Sequence, residues 1–305
     1  MLPVKAVAKL LAIVPLSVAL GFGRFLGFLY GNVLRYHRKD AFDALEQVFP
    51  EKSKCEHRRT VREMYDNLGV GAAESLRLAG GNISQLEDLV DVKNAEIVKK
   101  ALSRNKGALI LAAHFGNWDL LCFATPLQGF PLTIIAKDLR SDALNDFWMA
   151  LRARCGLKVV PVNNSYRICL KTLKKNEVIG FMLDQNMIDT EGVFVEFFGR
   201  PVCTTPGLAY MAAQTGAPII PAFIHRLEGG RHEIELLPVI EPPPDRKPET
   251  IQAATQAYTR VIEEEILKRP EQWIWIHRRW RTQPTAEDLA MLEKARAGAG
   301  ESSAG

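Results

Sequence analysis

The chain has 305 residues, 47% hydrophobic and 24% charged, with 39 basic against 35 acidic side chains and a net charge of +4. These values supply a real core and exclude both a disordered chain and a polycation built for nucleic acid. Five cysteines, Cys55, Cys122, Cys155, Cys169 and Cys203, are odd in number and lack CxxC spacing, which argues against a zinc knuckle or disulfide framework and for a reducing compartment.

No charge occurs from Leu10 to Gly23, and after Arg24 the apolar character resumes as FLGFLYGNVL before the basic cluster Arg35, His37, Arg38, Lys39. A spanning helix wants roughly 20 uninterrupted apolar residues. Pro15, Gly21, Gly23 and Arg24 interrupt this one, so a tilted span, a re-entrant hairpin and an interfacial anchor all fit. Flanking Lys5, Lys9 and the 35–39 cluster suit an anionic cytoplasmic leaflet. A cleaved signal peptide and a core helix pair compete with membrane attachment, but the apolar character continues past any plausible cleavage site. Residues 1–40 are therefore expected to be a membrane-associating segment, 41–294 an α/β domain, and the Gly-, Ala- and Ser-rich 295–305 a disordered tail.

Between 40 and 80, Ala41, Leu45, Val48, then Val61, Met64, Leu68 and Val70 recur at helical spacing. LEDLVDV at 86–92 reads as a short strand, and Asn94 stands where it can N-cap the helix NAEIVKKALSRN. Apolar runs follow at 108–114, 131–137, 158–162, 178–184, 192–198, 217–225 and 232–240, with helical patterns at 118–128, 143–155, 165–175 and 205–215. Continuous apolar strands separated by helices predict an α/β fold with a mixed, mainly parallel sheet flanked by helices. The last long helix is expected over 250–268. Trp273, Trp275 and His277 alternate with Ile274, Ile276 and Arg278, which is strand periodicity. Arg278, Arg279 and Arg281 form a basic cluster suited to lipid phosphates or an acidic carrier protein, although a solvated face explains it nearly as well.

The chemistry concentrates in GALILAAHFGNWDLL, Gly107 to Leu121, where a buried strand runs into a polar turn and a helix start. Open α/β sheets bind ligands beyond the carboxyl ends of their strands. His114 and Asp119 form HxxxxD there. A carboxylate on one imidazole nitrogen fixes the tautomer and raises the basicity of the other, which makes a general base for an alcohol. No GxSxG elbow occurs. The spacing alone is weak, and a structural histidine with Asp119 as a helix N-terminal charge explains it too.

Context sharpens the spacing. HFGNWD, then MLDQN at 182–186, GVFVEFFGRPVCTTPGLAYMAAQTGAPIIP, and PEQWIWIHRRW at 270–280 together resemble the lipid A biosynthesis acyltransferases, the lauroyl and myristoyl transferases of lipopolysaccharide biosynthesis. That family lies within the glycerolipid acyltransferases. The resemblance covers nearly the whole chain. It implies an EC 2.3.1 acyltransferase in which His114, oriented by Asp119, takes a proton from an acceptor hydroxyl, and the alkoxide attacks an acyl thioester. It further implies an acyl carrier protein or acyl-CoA as donor, a lipid A precursor as acceptor, no metal and no cofactor, and a place on the cytoplasmic face of the inner membrane. Many relatives carry glutamate where this chain has Asp119.

By the same resemblance, Gly116 and Asn117 stand where donors meet an oxyanion or the acceptor. Arg140, at a strand end, is suited to a phosphate, although a surface ion pair with Asp138 or Asp142 explains it as well. Asp184 and Gln185 orient the acceptor sugar or serve as turn residues. Rival readings are acylation of phosphatidylinositol mannosides or ornithine lipids, a non-catalytic lipid-binding protein, and a thioester hydrolase.

Overall fold

The computed structural model describes residues 2–163 and 165–302. The chain opens with a helical hairpin, α1 (Leu2–Ile13) and α2 (Leu16–Phe28), the second continuing through a π-helical turn at Leu29–Val33. Pro15 separates the two, its fixed φ marking the start of α2. Two further helices follow, α3 (Arg38–Val48) and α4 (Lys54–Gly80), where the pattern suggests one helical region. The break is set by Ser53, which forms a reciprocal capping box with Glu56.

Next come α5 (Gln85–Leu89), β1 (Val90–Lys93), α6 (Glu96–Leu102), β2 (Ala108–Ala112), α7 (Trp118–Leu127), β3 (Leu132–Ala136), α8 (Asp142–Arg154), β4 (Lys158–Pro161), α9 (Ser165–Lys174) and β5 (Val178–Met182). The chain finishes with β6 (Val193–Phe197), β7 (Arg200–Thr204), α10 (Gly207–Thr215), β8 (Ile219–Arg226), β9 (His232–Leu236), α11 (Pro248–Lys268) and α12 (Ala286–Ser302).

Seven strands form one sheet in the order β1-β9-β8-β2-β5-β3-β4. All neighbours are parallel except β8 and β9, as the continuous apolar runs predict. Alternate residues of β2 feed two cores: Leu109 and Leu111 pack with Tyr258, Ile262 and Trp275 on one face, and Ala108, Ile110 and Ala112 with Leu121 and Phe123 on the other. This is the period-2 geometry of a strand covered on both faces.

The hairpin α1–α2 lies on α4. A Cβ on Gly69 would sit 2.2 Å from the Gly23 carbonyl oxygen, and one on Gly23 would sit 2.6 Å from Val70 Cα, so the two backbones touch where glycine permits it. Arg77 of α4 donates to the carbonyls of Leu11 and Val14, satisfying the otherwise open C-terminal end of α1. Leu16–Val33 is long and apolar enough to cross a membrane. Its outer face, with Val18, Phe22, Phe25, Phe28 and Val33, is exposed, as are Leu10 and Ile13 of α1 and Leu34 beyond it.

Several local expectations change. LEDLVDV divides into the end of α5 and the start of β1. Asn94 takes a left-handed φ of 61° and donates to the Leu236 carbonyl, leaving Ala95 in the N-cap position of α6. The run at 192–198 forms, with β7, a separate antiparallel hairpin. Trp273 and Trp275 are buried but belong to no strand. Their segment closes on itself through Trp275 N–H to Trp273 O and His277 N–H to Ile274 O, with a single bridge from Trp273 to Phe115. The segment 295–302 continues α12 rather than starting a disordered tail, consistent with the high helix propensity of its alanines; residues 303–305 lie outside the described residues.

Candidate active site

The register of the sheet builds the site. Ala112 of β2 lies opposite Met182 of β5, and two residues beyond each stand His114 and Asp184. His114 Nδ1 lies 2.9 Å from Asp184 Oδ1, and the His114 backbone N–H donates to Asp184 Oδ2 at 2.8 Å. Trp273 Nε1 donates to the same Oδ2 at 2.8 Å. Three donors on one buried carboxylate keep it ionised: burial pushes its pKa up, but the His114 charge and these hydrogen bonds hold it at about 2. An ionised carboxylate only accepts, so Nδ1 carries the ring proton and the Nε2 lone pair faces the cleft, where the Gln185 amide donates to it. Burial opposes the imidazolium of His114, yet the Asp184 charge and hydrogen bond, with a contribution from the Asp119 charge, outweigh it and raise its pKa.

The free edge of the ring meets an open cleft of about 400 Å³. His114 is 19% exposed and Asp184 1%, so the imidazole is reachable and its partner is not. Gln185 Nε2 stands 3.2 Å from His114 Nε2, and Trp118 packs edge-on against the ring at 5.1 Å.

The expected His114–Asp119 hydrogen bond is therefore replaced by a His114–Asp184 one. Asp119 sits in the first turn of α7, half-buried, and makes no hydrogen bond to the ring among the described residues; it reaches His114 through charge. Burial raises the pKa of Asp119 itself against the opposing charges of Arg152 and His114.

Gly116 and Asn117 are not free donors. Gly116 N–H is used by the Gln272 carbonyl at 2.8 Å. With φ of 56° and a Cβ that would meet the Ile224 oxygen at 2.0 Å, the position demands glycine. Asn117 is 4% exposed. Its Oδ1 caps Leu120 N–H and its Nδ2 donates to Glu74 Oε2 at 2.8 Å. Arg140 lies on the exposed loop after β3, at the same end of the sheet, but it does not line the cleft. It makes no ion pair with Asp138 or Asp142 among the described residues.

Two features escape sequence reading. Glu74 of α4, buried and held at about 2, gathers Asn117, Arg226 and His232 under the turn that follows His114. His277 lines the cleft and accepts the Asn186 N–H at 2.8 Å. The Trp273 indole, which needs a partner once buried, was the available sign that the 270–280 block reaches the site. Elsewhere, His225 Nε2 lies 3.0 Å from Glu265 and 3.5 Å from Glu235, with the Lys268 ammonium 2.8 Å from Glu265. Lys268 thus supplies a cation to the Glu265 carboxylate.

The model of the family described as Bacterial lipid A biosynthesis acyltransferase matches residues 3–282. The chain belongs to that family. A lipid A biosynthesis acyltransferase of Haemophilus influenzae is 26% identical over 281 residues, covering 92% of this chain and 87% of the relative. A lipid A biosynthesis palmitoleoyltransferase of Escherichia coli is 26% identical over 277 residues, covering 90% and 88%. A phosphatidylinositol mannoside acyltransferase of Mycobacterium tuberculosis is 27% identical over 184 residues, covering 59% and 56%. The family relation covers the apolar hairpin as well as the sheet, and membership makes the protein an acyltransferase of EC 2.3.1 type.

Proposed function

We propose that the protein transfers a fatty acyl chain from an acyl thioester, carried by acyl carrier protein or CoA, to a hydroxyl of a lipid A precursor or related glycolipid. The observation that carries this is the His114–Asp184 pair opening by its Nε2 edge onto the cleft of a family acyltransferase. Nε2 takes the acceptor hydroxyl proton as the oxygen bonds to the thioester carbonyl carbon. The tetrahedral oxyanion collapses, the C–S bond breaks, and the imidazolium returns its proton to the leaving thiolate. Asp184 fixes the tautomer and stabilises the imidazolium; Asp119 adds negative charge. With Gly116 and Asn117 engaged internally, the Gln185 amide beside Nε2 is the donor placed to meet the acceptor or the oxyanion. None of these steps requires a metal or redox cofactor.

Residues 1–40 serve as the anchor. Because α2 lies along α4 through backbone contact at Gly23 and Gly69, the hairpin lies on the bilayer with its exposed apolar face inserted, rather than leaving the domain to span it. Lys5, Lys9 and the cluster at 35–39 favour anionic lipid on the cytoplasmic face of the inner membrane. The mycobacterial similarity keeps phosphatidylinositol mannosides as the second candidate acceptor. Mass spectrometry of total lipids from a host with and without the protein tests the assignment. One added acyl chain on a lipid A precursor is expected; an unchanged lipid profile, or a gain confined to another lipid class, would overturn it.

A further inference from the structure

Glu74 does not line the cleft, yet it is a carboxylate only 7% exposed directly beneath it. Its two oxygens serve different parts of the fold. Oε1 accepts from the Arg226 guanidinium at the end of β8 and from His232 Nε2 of β9 at 3.2 Å. Oε2 accepts from Asn117 Nδ2 at 2.8 Å. One oxygen is therefore tied to the sheet and the other to the turn that follows His114. Replacing a buried ion pair by well-packed apolar side chains is often neutral or stabilising, so fold stability alone is a poor reason for this carboxylate. What it adds is direction, by fixing one amide donor on one turn.

That turn leads to a side chain that covers the imidazole. Asn117 is the N-cap of α7, its Oδ1 accepting from Leu120 N–H at 3.3 Å, so the setting of its side chain fixes where the helix begins. Trp118, the first helical residue, packs edge-on against His114 with ring centroids 5.1 Å apart. The preceding residue is held from the same strand end. Gly116 N–H donates to the Gln272 carbonyl at 2.8 Å, and the Gln272 side chain exchanges hydrogen bonds with the backbone of Arg226 at 2.8 and 3.1 Å. The turn is thus referenced twice to Arg226 of β8, once through Gln272 and once through Glu74. Asp184 fixes the Nδ1 side of the ring; Glu74 and Asn117 fix the side covered by Trp118.

We propose that Glu74 is a positioning residue for acyl transfer, acting through Asn117 to hold the turn and Trp118 so that His114 Nε2 meets the acceptor hydroxyl in line. The inference rests on the acyl-transfer reading and deepens it. A general base works only within hydrogen-bond reach of its proton, and a misplacement of about 1 Å caused by a change away from the reacting atoms costs on the order of a hundredfold. Neither Glu74 nor Asn117 lines the cleft, so their loss reaches kcat and leaves substrate binding alone.

The test measures kcat, KM for the acceptor and melting temperature in full-length protein in detergent. In Glu74→Gln the one remaining oxygen goes to the Arg226 charge, and the new NH₂ meets Asn117 Nδ2, another donor. Asn117→Ser keeps a capping oxygen for α7 and removes the amide donor, leaving the charge pairs of Glu74 in place. Val98→Ala truncates a side chain of α6 that is 3% exposed and does not line the cleft, and it reports what destabilisation alone does. Glu74→Gln and Asn117→Ser are each expected to lower kcat about ten- to a hundredfold with KM unchanged. The double variant is expected to lose no more than either single one, because both act on one contact, and Val98→Ala to melt lower with kcat near wild type. If Glu74→Gln does not fold, Asn117→Ser carries the same comparison by itself. Retained kcat in Asn117→Ser, losses that add in the double variant, or a kcat loss shared by Val98→Ala overturns the positioning role and leaves the enzyme assignment intact. Absence of acyl transfer by the wild-type protein overturns the acyl-transfer reading and this inference with it.

Discussion

Asp184→Asn separates the geometry of the site from the chain spacing that suggested Asp119. The substitution keeps the shape of the side chain and removes its charge. Asp184 accepts from His114 Nδ1, His114 N and Trp273 Nε1; an asparagine presents one oxygen to these donors and turns an NH₂ toward at least one of them. Lost together are the charge-assisted hydrogen bond that sets the tautomer and the field that raises the His114 pKa. Loss of a positioned base typically costs about 10²–10⁴-fold in rate, on the order of 3–5 kcal/mol, and kcat/KM is expected to fall in that range. Asp119→Asn removes only a charge without a hydrogen bond to the ring, and a loss of about five- to tenfold is expected. The assay is free-thiol release from acyl carrier thioester in the presence of acceptor, across a pH series. Because the base must be neutral, wild-type kcat/KM rises with pH, with an acid limb above the ordinary histidine value of about 6.5. Asp184→Asn moves that limb downward. A severe loss in Asp119→Asn with a mild one in Asp184→Asn would refute the assignment of Asp184 as the partner of the base.

Gly116→Ala is expected to destabilise the fold severely, since a left-handed backbone costs about 1–2 kcal/mol for a non-glycine residue before the 2.0 Å approach to Ile224 O is added; a shift in urea midpoint measures it. Phe22→Glu with Phe25→Glu should weaken binding to anionic vesicles while leaving the melting temperature near wild type, as both side chains face outward; retained flotation with liposomes would count against the inserted face. Asp184 and Glu74 are each held at about 2 in the fold. Their folded pKa values are depressed, so their contribution, about 2–3 kcal/mol each, is complete above the unfolded values near 4 and drains away as pH falls toward 2. Urea midpoints at pH 7, 4 and 3 should show this decline, and Glu74→Gln should flatten its share of it.

The sheet and the candidate base, His114, are legible in the chain because both are local signals. Continuous apolar runs give buried parallel strands, and His114 stands where one of them breaks into a polar turn. The partner of His114 is not a local signal. HxxxxD counts positions along one strand and helix, whereas the hydrogen bond crosses from β2 to β5, and only the Ala112–Met182 register brings Asp184 level with His114. Asp184 stands among the candidates by virtue of its strand end, without its role. Gly116 and Asn117 look like free donors until α4 and the Gln272 turn close over them, contacts made by residues far away in the chain. The alternation at 273–278 misleads for a related reason: burial alternates there, but the backbone N–H groups are consumed in tight turns, so no ladder forms.

Incubation of purified protein with an acyl carrier thioester and a lipid A precursor, followed by mass spectrometry of the acceptor, addresses acyl transfer by His114 most directly. The account predicts a gain of one acyl chain with the wild-type protein and none with a folded His114→Ala variant. Undiminished acylation by that variant, or thiol release by the wild type with no mass added to the acceptor, would contradict it.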